Sequence, residues 1–266
     1  MTAPPRIVAY LATAGMLALA WTASPAWADQ RADFLSGVTK DCPACDLTGI
    51  NRKRGDLSGA NLAGANLTDA NFHDTNLRGA DLTGANLERA NLNKADLRTA
   101  KLAGANLKDA LAYGARLGQA DMSKANLAGV IARTADLTRT NLAGADLTKA
   151  DFRQVRMALA NLTNANLTGA WFVEAYLRST NFTGATMNEV AMGFADLTQA
   201  DLTQAKMVNA DLRRADLTEA KFIQTDLSGA VMMRANTTEV DMKGATLIGA
   251  TLADGTIIGP NGLPVN

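Results

Sequence analysis

The chain has 266 residues, of which 26 are basic and 26 acidic, with one histidine and two cysteines. That length allows one large domain or two. A formal charge of zero, or 25 basic against 26 acidic residues once Arg6 is removed with a leader, lacks the basic surplus of a nucleic-acid binder.

Residues 1–28 read as a secretory signal peptide. Arg6 supplies the positive start, residues 7–21 the apolar run, and Ala26-Trp27-Ala28 a small-x-small cleavage site before Asp29. The apolar run of about fifteen residues is shorter than the ~20 of a membrane span, which favours a cleaved leader over an anchor. No Cys follows the site, which argues against lipid attachment there. The mature protein is expected to be exported, periplasmic or secreted, with no membrane span once the leader is cut. In the next segment, residues 29–44, Ala32, Phe34, Leu35 and Val38 are apolar at helix-compatible spacing. They predict a short N-terminal helix.

From residue 45 to 257 the chain is one five-residue phrase without insertion or deletion. Ala-Asn-Leu-Thr-Asp at 65–69 and Ala-Asp-Leu-Thr-Gly at 80–84 are samples. Every fifth residue from Leu47 to Ile257 gives 43 centres: 26 Leu, 7 Met, 5 Phe and 1 Ile, with Arg52, Ala112, Ala132 and Thr237 as the exceptions. Two residues before the centre stands Ala in 31 of the 43 phrases, and between them mostly Asn or Asp. A period of five fits neither the 3.6 of a helix nor the 2.0 of a flat strand, so each phrase must contain a bend. Glycines recur at 64, 84, 104, 144, 184 and 244, all multiples of twenty apart.

These residues resemble the pentapeptide-repeat family, whose phrase is A-(D/N)-L-x-x. The resemblance implies an all-β fold, a right-handed, four-sided parallel β-helix with four phrases per coil. Centre and small residue would point inward and the other three outward. Forty-three phrases then make about ten to eleven coils, and ~4.8 Å per coil makes a rod roughly 50 Å long. Unbroken register argues for a single elongated domain from 45 to 257, with residues 258–266 as a C-terminal tail or cap. Such a rod exposes strand edges at its ends, so the helix of the 29–44 segment is expected to cover the first coil.

Cys42 and Cys45 form a C-x-x-C at inward positions. A metal site lacks a second ligand pair, haem attachment lacks the following His, and a thioredoxin-like role lacks its βαβ context. A buried structural disulfide is the favoured reading in an oxidising compartment. Arg52 occupies a core slot, and a buried unpaired Arg is costly; its phrase is expected to bulge outward.

The outward residues fall into four columns. The column of Asn61, Asp81 and Asn141 is smooth, with Asp81–Lys101–Asp121 and Asp201–Lys221–Asp241 alternating in charge. The column running Asn51, Asn71, Asn91 breaks the rule: its expected Asn/Asp places hold Leu111, Ile131, Trp171, Ala191 and Val231. Tyr113, Val173, Phe194 and Met233 stand beside them, Leu159 and Tyr176 lie in the adjacent column, and Arg116, Arg133, Arg153, Arg156, Arg178, Arg213, Arg214 and Arg234 are interleaved. Aromatics with Arg in one contiguous patch are typical of interface hot spots. The candidate partner-binding set is therefore Leu111, Tyr113, Ile131, Arg133, Arg153, Trp171, Val173, Tyr176 and Phe194. Leu111 and Ile131 have an alternative, turning inward to make up the volume missing at Ala112 and Ala132. Trp171 has none, because Phe172 fills the centre beside it.

Catalysis finds no support. His73 is the sole His, in an outward slot, and no nucleophile–base pair or phosphate-cradling glycine loop is present. Asp196, Asp216, Glu219 and Glu239 read as a solvated acidic face rather than a cation site. No cofactor or metal is expected. The sequence points to a non-catalytic exported scaffold acting on a protein or cell-envelope component such as a wall glycan. A topoisomerase-directed DNA mimic, a role known in the family, needs negative charge and a cytoplasmic place; a purely structural role is the other alternative. Thr237 is a polar centre near the end, so the last coils are expected to be looser. The open end is then either covered by the tail or paired with a second copy through the C-terminal coils.

Overall fold

A computed structural model describes residues 26–265. The leader reading therefore falls mostly outside the described residues. The fold follows from how one phrase satisfies its own backbone. In the phrase 65–69, the N–H of Asn66 donates back one coil to the carbonyl of Cys45 at 2.9 Å, and that of Leu67 forward to Asn86 at 2.7 Å. The N–H of Asp69 reaches Glu88 at 3.0 Å, and Ala70 closes the turn onto Leu67 at 3.0 Å. One donor remains, on Thr68, and the Asn66 side chain accepts it at 3.3 Å. Every amide N–H is thereby satisfied, as the interior of a narrow tube requires. The Asn/Asp preference has its physical cause here: a short side-chain oxygen reaches the N–H two residues on.

Repetition of this unit stacks residue i on residue i+20. Parallel bridges run Asp46↔Asn66, Asn66↔Asn86 and so on to Val231↔Thr251. Four phrases, each a bridge residue and a two-residue turn, complete one coil. Centre and small residues fill the interior, Leu62, Ala65, Leu67, Phe72 and Leu77 among the fully buried. Phe152 and Phe172, one coil apart, stack with ring centroids 5.1 Å apart and interplanar angle 17°. Thr enters the small position four times (Thr75, Thr140, Thr180, Thr225), and each hydroxyl donates to a carbonyl, as Thr180 does to Met157 at 2.9 Å. The second turn residue is left-handed throughout: glycines such as Gly64 at φ 66°, but also Leu159 and Phe194 at φ 61°.

Both ends depart from the repeat. Helix α1 (Ala26–Ser36) lies over the first coil. Phe34 alone of its predicted apolar set is buried; Ala32, Leu35 and Val38 face solvent. Cys42 and Cys45 are buried and disulfide-bonded, with Cα atoms 5.4 Å apart. Arg52 does not bulge, which corrects the expectation. Its N–H keeps the bond to Asn71 at 2.9 Å, and its guanidinium leaves the core through the open end, 4.7 Å from the Phe34 ring centroid, where Nη2 donates to the Phe34 carbonyl at 2.5 Å. A half-buried cation is tolerated because helix and ring cover it, although Nε has no hydrogen-bond partner.

At the other end strand β1 (Ile257–Ile258) turns back antiparallel to Thr251, and strand β2 (Pro264–Val265) pairs antiparallel with β1. The tail thus covers one side of the last coil. The opposite side stays open as a hollow of about 440 Å³ lined by Met232, Thr237, Val240, Met242 and Leu252. Thr237 itself is exposed, and Val240, Met242 and Leu252 are only partly buried. No helix among the described residues is long and apolar enough to cross a membrane.

Candidate binding face

The side that begins at Asn51 carries the apolar row. Bridges connect Asn91, Leu111, Ile131, Asp151, Trp171, Ala191, Asp211 and Val231 in one ladder. Leu111 and Ile131 point outward, each 39% exposed, while Ala112 and Ala132 stay buried at the centres. The inward alternative is therefore excluded: the ladder bonds of both residues remain in register, and a flip would break them. Trp171 is 49% exposed, Tyr113 50% and Phe194 55%. Val173 is half-buried beside them. Tyr176 is exposed but bridges Arg156 and Asp196, so it belongs to the next side around the corner. Eight of the nine candidate residues thus share one side and Tyr176 does not.

The geometry adds a residue that the sequence did not single out. Asp151 lies in the ladder between Ile131 and Trp171, is buried, and accepts from Arg133 Nε at 2.6 Å, Arg153 Nε at 2.9 Å and Arg153 Nη2 at 2.7 Å. Its second oxygen bonds both arginines. Arg153, held there, places its guanidinium carbon 5.0 Å from the Trp171 ring centroid. Carboxylate, guanidinium and indole are thus locked in sequence, which presents a rigid aromatic surface. The only signal available beforehand was Asp151 standing between Arg133 and Arg153 at twenty-residue stacking. Two coils further on, Arg214 lies 5.3 Å from the Phe194 ring.

This row weakens the fold that carries it. Leu111, Ile131, Trp171, Ala191 and Val231 have no side-chain oxygen for the turn N–H two residues on. Only Tyr113 regains an acceptor, Asn93 one coil below at 2.8 Å. By contrast the Asn61 side keeps these bonds at Ala63, Thr83, Ser123, Ala143, Thr163, Thr183 and Thr203. Phe194 adds a bulky side chain in a left-handed turn position, where glycine is the unstrained residue. No group of three or more His, Cys, Asp or Glu suited to a metal ion is present among the described residues.

Stacked five-residue turns with an inward Leu/Ala pair define a parallel β-solenoid. The sequence profile described as pentapeptide repeats matches residues 45–84, 80–119, 120–157, 160–192 and 195–234, in eight copies. The chain belongs to the pentapeptide-repeat family, and with it to the right-handed, four-sided parallel β-helix. It is similar to the crystal structure of HetL, a pentapeptide repeat protein involved in heterocyst differentiation regulation from the cyanobacterium Nostoc sp. strain PCC 7120. Identity is 26%, covering 85% of this chain and 97% of HetL, with a TM-score of 0.68. Full-length QnrB1, a plasmid-mediated fluoroquinolone resistance protein, is 14% identical over 77% of this chain and 92% of its own, TM-score 0.44. A pentapeptide repeat protein of the Arabidopsis thaliana thylakoid lumen is 27% identical over 43% of this chain and 63% of its own, TM-score 0.23. Among curated proteins none matches.

Proposed function

We propose that this protein is a non-catalytic exported scaffold, about ten to eleven coils and roughly 50 Å long at ~4.8 Å per coil, which captures a protein or another cell-envelope component. The Asn51 side is the binding surface. One observation carries the reading: on that side the ladder replaces Asn/Asp with Leu111, Ile131 and Trp171, exposed apolar residues in one row, whereas the residues that replace Asn/Asp on the Asn61 side are the charged Lys101 and Lys221. Local sequence that opposes the fold marks a functional surface. Export rests on the leader-like residues 1–28, and the buried Cys42–Cys45 disulfide suits an oxidising compartment. A DNA-mimic role is disfavoured by the balanced charge.

Affinity capture from envelope extract tests this. Trp171→Ala with Tyr113→Ala is expected to keep the melting temperature and lose the captured partner. Retention of the same partner by the double variant assigns binding to another side. The apolar hollow at the C-terminal end is the place where a second copy would pair, and a light-scattering mass measurement that finds only monomer at micromolar concentration removes that option.

A further inference from the structure

The Asn51 side has a second hollow, of about 490 Å³, lined by Phe194, Arg213, Arg214, Met233 and Arg234. Its charge state differs from that of the Trp171 region. Where Arg133 stacks on Arg153, the chain places Asp151 between them. In the second hollow, Arg213 is held by Asp211 through two bonds of 2.8 and 2.6 Å. Arg214 and Arg234, one coil apart at ~4.8 Å, make no ion pair among the described residues. The next acid along this corner, Asp254, accepts the Thr256 N–H at 2.8 Å. Two arginines therefore line one hollow without an ion-paired anion, and like charges at neighbouring positions of adjacent coils repel.

The geometry points to an acidic peptide segment as the occupant, its carboxylates on Arg214 and Arg234 and a neighbouring apolar side chain on Phe194 and Met233. The inference rests on the Asn51 side being the binding face and names what part of that face reads. Arg is the side chain suited to it, since its planar fork grips a carboxylate through two parallel bonds and stacks on an aromatic ring at the same time. Arg214 does the second with Phe194 already. The polar side chains of the hollow are all donors. A sugar, whose hydroxyls donate as well as accept, would leave its donors without side-chain acceptors there. A bare phosphate polymer would leave Phe194 and Met233 without apolar contact. Met233, 42% exposed, is a flexible side chain that adapts to apolar residues of a peptide.

Fluorescence anisotropy of the purified protein tests the assignment with three probes: a labelled peptide in which Glu pairs alternate with single Leu, its analogue with Gln for Glu, and labelled inorganic polyphosphate. The Glu peptide is expected to bind at least tenfold more tightly than the Gln analogue, with an affinity that falls as salt rises. Arg214→Gln with Arg234→Gln is expected to lose about tenfold or more of that affinity while the melting temperature stays put. Equal binding of the Gln analogue, undiminished binding by the double Arg variant, or binding of polyphosphate alone each overturns the assignment. Should the Glu peptide fail while Trp171→Ala with Tyr113→Ala still abolishes capture, the face stands and its acidic ligand falls. Should both fail, the face itself is wrong.

Discussion

The Asn61 and Asn51 sides are built from the same phrase and stacked at the same spacing, yet they treat it differently. On the Asn61 side the ladder residue is Asn, Asp or Lys, and Asn141 accepts from Ala143 N–H at 3.3 Å and from Asn161 at 3.2 Å. Turn donor and neighbouring coil are satisfied by one amide. On the Asn51 side Trp171 does neither. The lesson is that the inward pair fixes the fold by itself. The outward Asn/Asp adds turn stability that can be given up, and where exposed apolar residues take its place the loss shows where another use lies.

The sharpest way to break this comparison is to make the Asn51 side obey the rule. Trp171→Asn restores an acceptor for the Val173 N–H. Stability is expected to rise by about 0.5–1 kcal/mol, the net value of an ordinary hydrogen bond, while partner affinity falls by about thirtyfold or more, as for a ~2 kcal/mol hot spot. Chemical unfolding and the capture assay read the two effects. A variant that is less stable and still binds would reverse the interpretation.

Next in size is Asp151→Asn. The carboxylate is buried under two arginines that are themselves partly exposed, at 44% and 36%. Hydrogen bonds to charged groups contribute about 1.5–3 kcal/mol when enclosed. Solvation of the released arginines recovers part of this, which leaves about 1.5 kcal/mol of destabilisation. Indole fluorescence should change in the same variant, because Arg153 loses its place over Trp171. An unchanged unfolding midpoint would mean that the two arginines need no carboxylate to hold them.

Smaller again is the reciprocal change on the smooth side. Asn161 accepts from the Thr163 N–H at 3.1 Å and its hydroxyl at 2.6 Å, and donates to Asn141 at 3.2 Å. Asn161→Leu makes this position resemble Leu111. It is expected to cost about 1 kcal/mol and to leave capture untouched. Loss of capture would show that binding is not confined to the Asn51 side.

Much of this was legible beforehand. The centre and small positions were, because a tube of fixed bore accepts few residue pairs and repeats its demand every five residues. The outward row was legible too, since Trp171 beside Phe172 leaves the indole no inward slot. Arg52 was misread for a local reason: a buried cation is forbidden within the rod but tolerated at its mouth, where the guanidinium exits beneath Phe34. Asp151 was hidden because Asp is the ordinary residue there, and only its stacking between Arg133 and Arg153 sets it apart. The tail was legible as one of two covers for the open end, but its strands were hidden by size, since β1 and β2 have two residues each. The cause of the Asn/Asp preference was hidden as well, because its bond to the turn N–H appears only with the backbone geometry.

The smallest expected effect concerns pH. The Thr83 hydroxyl and amide beside Asp81, on the smooth side, hold that carboxyl below its ordinary value of 3.8. On the Asn51 side the Arg213 guanidinium does the same for Asp211, and on the side of Asp56 the Arg98 guanidinium does so for Asp96. A carboxyl whose folded pKa is depressed contributes stability above its unfolded value, and that contribution is lost as pH falls through the folded value. The unfolding midpoint should therefore be flat from pH 8 to about 5 and decline only below about pH 4. Asp81→Asn and Asp211→Asn should each reduce the steepness of that decline, because each removes one carboxyl whose folded value is depressed. A decline that begins near pH 6, or one that responds to only one of the two variants, would show that the sides differ in electrostatics as well as in their ladder residues.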